Sequence, residues 1–133
     1  MEKSILQSKS FDLAVAVYRK VADLQKKQKE FLLSQQWADS VATVALHMYL
    51  AQELHSKNSL SINLYTARKS TLKGLFWTNL LLGMEYLSSD SAKDVTQGLT
   101  ELLKMLQASI NTLSRKRQGS DEGHTLEEVS ESE

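Results

Sequence analysis

The chain has 133 residues, with 16 Lys plus Arg, 16 Asp plus Glu, no Cys and no Pro. That length favours one domain with a real core, and the absence of cysteine excludes a disulfide framework and any thiolate metal site. The zero net charge conceals a segregation: residues 119–133 hold six acids and no Lys or Arg, so residues 1–118 carry +6 and the tail −6.

Asymmetry of this kind points towards polyanionic partners, although a solvated surface with a solubilising tail accounts for the same numbers. The opening Met1-Glu2-Lys3-Ser4-Ile5-Leu6 lacks the apolar run of a signal peptide. The most apolar stretch, Leu72 to Leu87, is broken by Lys73, Asn79 and Glu85 and is shorter than the ~18 apolar residues that suggest a membrane span. A soluble, cytoplasmic protein with no membrane partner is expected. With only five Gly and no Pro, in a chain rich in Leu, Ala, Lys, Gln and Glu, the sequence reads as helical.

The first helical segment runs from about Ser8 to Lys27. Phe11, Val15, Tyr18, Ala22 and Gln25 step at helical spacing, and Ala14, Val17, Val21 and Leu24 widen the apolar stripe. Ser8 or Ser10 is the expected N-cap. The polar run Gln25 to Glu30 marks a turn, with lysines suited to the negative end of the helix dipole.

The second segment runs from about Glu30 to Leu54, with Leu33, Trp37, Ser40, Val41, Val44, Met48 and Ala51 on one face. His55-Ser56-Lys57-Asn58-Ser59 is the next break. The third segment runs from about Ser59 to Leu87. Leu64, Ala67, Thr71, Leu75, Thr78, Leu82 and Tyr86 supply one face, and Leu72, Phe76, Leu80 and Met84 a second. One apolar stripe suffices inside a bundle, so the second face predicts a subunit interface.

Ser88 to Ser91 breaks the chain again, and Ser91 with Asp94 is similar to a capping box. The fourth segment runs from about Ser91 to Gln118. Its Val95, Leu99, Leu102, Leu106, Ile110 and Leu113 follow one another in steps of four or three, the seam of a bundle. Gly119 stands in the position of a C-terminal cap. Loops this short favour antiparallel neighbours. The sequence thus predicts an all-α, up-down-up-down four-helix bundle over residues 1–118 and a disordered acidic tail over 119–133.

Little in the sequence supports catalysis. His47 and His55 lie eight apart, and His124 stands in the acidic tail. No HExxH, glycine-rich phosphate loop or GxSxG occurs. Asp39 is a lone helix acid, which is usually a solvated charge. The expectation is no enzyme, no cofactor and no metal. Three basic clusters remain: Lys26, Lys27 and Lys29; Arg68, Lys69 and Lys73; and Arg115, Lys116 and Arg117. An up-down bundle spreads them along its length. Tyr65, Phe76 and Trp77 near the second cluster could stack on bases, but core packing is the favoured reading of Tyr65 and Phe76.

The stretch from Asn63 to Leu75, containing Leu64-Tyr65-Thr66-Ala67-Arg68-Lys69-Ser70, resembles the third helix of a bacterial family named for its four-helix bundle. Phe31-Leu32-Leu33-Ser34-Gln35-Gln36, Ser10-Phe11-Asp12-Leu13 and Val17-Tyr18-Arg19 are similar to other parts of that family's pattern. The likeness spans roughly residues 8 to 117. The family's Pro before the second helix is missing, and its Asn-Ile-Ala-Glu-Gly ending is replaced around Tyr49 to Glu53. One branch comprises proteins encoded in intervening sequences of bacterial large ribosomal RNA genes. The other comprises accessory variability determinants of diversity-generating retroelements, homopentamers that bind the reverse transcriptase and its RNA. The Leu64-Tyr65 and Phe76-Trp77 pattern looks closer to the retroelement branch. With the +6 body, the resemblance implies a homopentamer whose outward Lys26, Lys27, Arg68, Lys69, Lys73, Arg115 and Arg117 meet a reverse transcriptase or its nucleic acid. A structural adaptor without nucleic-acid binding is the alternative.

Overall fold

The structure, a computed structural model, describes residues 4–120, with side chains through Lys116. It contains four helices: α1 (Ile5–Lys27), α2 (Leu32–Glu53), α3 (Lys57–Gly83) and α4 (Ser89–Ser120). Each packs on its neighbours in the cyclic order α1–α2–α3–α4–α1. Connectors this short force antiparallel neighbours, and the result is the expected up-down-up-down bundle.

The helix starts are set by side chains that accept orphan amide protons. Ser4 Oγ accepts from Gln7 N–H at 2.9 Å, so it caps α1 one turn before Ser8 or Ser10. Ser56 Oγ accepts from Ser59 N–H at 3.0 Å and starts α3. Ser88 Oγ accepts from Ser91 N–H at 3.1 Å, which makes Ser88, and not Ser91, the start of α4. The start of α2 lacks a serine cap. Instead the buried Glu30 carboxylate accepts from Leu33 N–H at 2.8 Å and Ser34 N–H at 2.7 Å.

Two turns use the left-handed region without glycine: Lys29 at φ 56° and Glu85 at φ 67°. At the second, Tyr86 N–H returns to the Leu81 carbonyl at 2.9 Å, the closure that ends a helix through a left-handed residue. Helix α3 therefore stops at Gly83, short of the expected Leu87. Helix α4 continues to Ser120, so Gly119 does not cap it. The acidic stretch 121–133 lies outside the described residues.

The core runs the length of the bundle in two clusters. One gathers Val17, Val21 and Leu24 of α1, Trp37 and Val41 of α2, Leu81 of α3, and Val95 and Leu99 of α4. The other gathers Val44 and Met48 of α2, Leu64 and Ala67 of α3, and Leu102, Leu106 and Ile110 of α4. Where they meet, Gly74 lets α3 approach closely: a Cβ there would stand 3.3 Å from Leu99 Cδ1. Two buried hydroxyls are satisfied within their own helices. Ser40 Oγ donates to the Trp37 carbonyl and Thr71 Oγ1 to the Ala67 carbonyl, both at 2.7 Å.

Helix α1 departs from expectation. Its buried row is Ser10, Ala14, Val17, Val21 and Leu24, while Phe11, Val15, Tyr18 and Ala22 face outward. Both rows repeat at helical spacing, and α2 and α4 cover only one of them.

Candidate functional site

The basic residues lie at three levels. Lys26 and Lys27 close α1 and are exposed, at the end of the bundle that also holds the α3–α4 connection. Arg115 lies near the opposite end, exposed, with Nη2 3.5 Å from Thr112 Oγ1. The side chain of Arg117 lies outside the described residues. Arg68, Lys69 and Lys73 sit on α3 between the two ends. The structure thus keeps the clusters apart and builds no single basic patch from them.

Arg68 is occupied within the fold. Its Nη1 donates to Gln107 Oε1 on α4 at 3.0 Å, and its guanidinium lies 5.0 Å from the Tyr65 ring centroid. Gln107 Nε2 donates in turn to Asn111 Oδ1 at 3.0 Å. The arginine therefore ties α3 to α4 through a hydrogen-bonded chain, while the cation–π contact with Tyr65 braces it within α3. Lys69 and Lys73 are exposed.

Tyr65 and Phe76, both expected in the core, part company. Tyr65 is 8% exposed and packed, while Phe76 is 58% exposed. Phe76 stands edge-on to Trp77, with ring centroids 5.1 Å apart at 75°. Leu72 and Met84 are exposed as well, so the second apolar face of α3 does look outward.

A further outward face is not anticipated by the sequence reading. Phe11, Val15 and Tyr18 of α1 join Leu46 and Tyr49 of α2 around an apolar groove of about 670 Å³. The signal was present: two apolar rows on one helix call for two partners, the argument already applied to α3. On α2, Leu46 and Tyr49 lie off the Trp37–Val41–Val44–Met48 face.

Among the described residues, His47 is hydrogen-bonded within the fold and His55 faces solvent. His47 Nδ1 lies 2.6 Å from Asn63 Oδ1, and Asn63 Nδ2 donates to the Ser59 carbonyl at 2.7 Å. His55 is exposed, and Asp39 accepts from Gln35 Nε2 at 3.0 Å. Among the described residues no three His, Asp or Glu gather in a way that could hold a metal ion. None of the described helices is long and apolar enough to cross a membrane.

The described residues define a small all-α four-helix bundle with exposed apolar faces and scattered basic residues. Within that class, residues 2–108 match the 23S rRNA-intervening sequence protein family, and the chain belongs to it. Among solved structures, it is similar to a protein of unknown function from the S23 ribosomal protein family of Bacteroides thetaiotaomicron VPI-5482. The two are 25% identical, with a TM-score of 0.77 over 80% of this chain and 98% of that one. No curated protein matches.

Proposed function

We propose that this chain is a non-enzymatic, homo-oligomeric scaffold that presents basic residues to a nucleic-acid-bearing partner. The observation that carries the reading is the outward row Phe11, Val15 and Tyr18 with Leu46 and Tyr49. Soluble monomers rarely expose a contiguous apolar patch beyond a few hundred Å². These five half-exposed side chains gather on one face, across α1 and α2, where an apolar patch marks a site of association.

In its finer form the proposal is an accessory subunit of a diversity-generating retroelement, a pentamer that binds the reverse transcriptase or its template RNA. The resemblance around Leu64-Tyr65 and Phe76-Trp77 and the +6 charge of residues 1–118 support it. Of the basic residues, Lys26, Lys27 and Lys73 suit the role best, because they are exposed while Arg68 is held by Gln107.

The second reading is an adaptor of the rRNA intervening-sequence type without nucleic-acid binding. The family match favours it directly, and so does the dispersal of the basic clusters. Light scattering of the full chain, with a pull-down against any reverse transcriptase encoded beside it, separates the two. A mass of five times 15.0 kDa with capture of the enzyme or its RNA supports the accessory role. An oligomer that captures neither supports the adaptor, and a monomer defeats both.

A further inference from the structure

Helix α1 starts late. Lys9 pairs with Glu101, and a Cβ on Gly98 would stand 3.0 Å from Leu13 Cδ1. Continued along the antiparallel pair, that register sets Ser4 level with Gln107 of α4. The other helices go further. The bond from Arg68 to Gln107 sets Leu60 of α3 near the level of Leu113. The His47–Asn63 contact brings the last turn of α2 level with the first turn of α3. Three helices therefore continue about two turns, roughly 10 Å, past the start of the fourth.

The missing turns leave a notch of about 420 Å³ at this end of the bundle. Leu6, Met48, Leu60, Leu64 and Leu113 line it, together with the exposed Lys116. Leu6, Leu60 and Leu113 are only half buried, so they lack packing partners on the open side. Two buried side-chain oxygens without a hydrogen-bond partner, Gln7 Oε1 and Ser61 Oγ, belong to the same end. Such atoms call for an explanation in a folded protein, and here both sit where a neighbouring turn of helix is missing.

We infer that the notch is a docking site for this chain's own acidic segment, residues 121–133, with Leu126 and Val129 seated against Leu60 and Leu113. Helix α4, which forms one side of the notch, is the helix that leads into that segment. Ser120 lies about 6 Å beyond Lys116 along the helix, and the six residues from there to Leu126 span up to ~20 Å. That reach covers the whole notch, and Gly123 supplies the freedom a reversal needs. Leu126 and Val129 are the large apolar residues of the segment.

The charges match as well. Among the described residues, this end of the bundle carries Lys57, Arg115 and Lys116 against Glu53, all exposed. The segment brings Asp121, Glu122, Glu127, Glu128, Glu131 and Glu133. Tethering holds it near the notch at an effective concentration of order millimolar, so a weak contact is enough. Residues 1–3 are poorer occupants: they offer one large apolar side chain, Met1, and a charge of each sign. The docked segment sets its acids beside Arg115 and Lys116, and so withholds that basic cluster from other anions until a partner displaces it.

The test is NMR of the full chain labelled at its Leu, Val and Met methyl groups. Through-space contacts from Leu126 and Val129 to Leu60, Leu113 or Met48 are expected, and Leu126→Ser with Val129→Ser should shift the notch methyls alone. Lys116→Gln should weaken docking by up to about fivefold, the worth of an exposed ion pair. Leu126 and Val129 methyls at free-chain positions, with notch methyls indifferent to the double change, overturn the docking. Contacts from Met1 in their place overturn it in favour of the N-terminal residues. In an equal mixture of differently labelled chains, contacts found only between chains overturn the return of the segment to its own bundle. Docking indifferent to both Lys116→Gln and high salt overturns the masking of the basic cluster.

Discussion

The indole Nε1–H of Trp37 donates to Thr78 Oγ1 at 2.9 Å across the α2–α3 interface, with both residues 0% exposed. Thr78 in turn donates to the Gly74 carbonyl at 2.7 Å. The largest fully buried side chain in the bundle thus has its one polar atom satisfied by a hydroxyl that is itself satisfied. Thr78→Val keeps the shape and removes the acceptor, leaving a buried indole N–H with no partner. The expected cost is about 1–3 kcal/mol, read as a fall in the urea midpoint at unchanged slope. The double variant carrying Trp37→Phe and Thr78→Val should cost less than the sum of the two single changes, because the two share one bond. Strict additivity would show that the bond contributes nothing.

The turn at Glu85 offers a stabilising change. Its φ of 67° places a side chain in the left-handed region, where a Cβ costs roughly 1–2 kcal/mol. The Tyr86-to-Leu81 closure depends on that conformation. Glu85→Gly should therefore raise stability by about 1 kcal/mol, net of the extra freedom of the unfolded chain. A loss of stability by thermal unfolding would mean that the glutamate side chain supports the turn in some other way.

Much of the bundle is legible in the sequence because its core rows are narrow. Trp37, Val41, Val44 and Met48, and likewise Val95, Leu99, Leu102, Leu106 and Ile110, are buried as their spacing predicts. Helix α1 is different. The row Phe11–Val15–Tyr18–Ala22 and the row Ala14–Val17–Val21–Leu24 are equally periodic, and periodicity cannot say which one a neighbour covers. The caps of α1 and α4 differ from expectation for a related reason: each is a serine among several, and only the hydrogen bond from the amide three residues on selects Ser4 or Ser88. The end of α3 carries no glycine signal, since Glu85 takes the left-handed position. The basic residues could be named from sequence. That Arg68 is held by Gln107, 39 residues away, could not.

Glu30 tests a cap that composition does not reveal. Its carboxylate oxygens take the amide protons of Leu33 and Ser34 at 2.8 and 2.7 Å, and its carbonyl takes the Ser34 hydroxyl proton at 3.0 Å. Glu30→Ala strands two amides at the positive end of α2 and should cost about 1–2 kcal/mol. Glu30→Gln, which keeps one amide oxygen as acceptor, should cost less. Chemical denaturation of the two variants decides it, and equal losses would assign the effect to packing of the side-chain stem.

The proposed polyanion contact has a signature that separates it from general stickiness. Lys26 and Lys27 are the exposed basic pair at the end of α1. If both contact phosphates, binding of single-stranded RNA should weaken linearly in log–log with salt, each contact adding about 0.7 to the slope. Lys26→Gln with Lys27→Gln should then reduce the slope by about 1.4 and lower affinity by roughly tenfold or more. The matched control is Lys9→Gln, whose ammonium pairs with Glu101 at 3.2 Å on the α1–α4 seam and should leave the slope unchanged. Removing residues 119–133, which carry −6, should strengthen binding at low salt and converge with the parent at high salt, where repulsion is screened. A slope indifferent to Lys26 and Lys27 but sensitive to Lys9 would move the contact from the bundle end to its side. A slope indifferent to all three would leave the oligomer as an adaptor without a nucleic-acid surface.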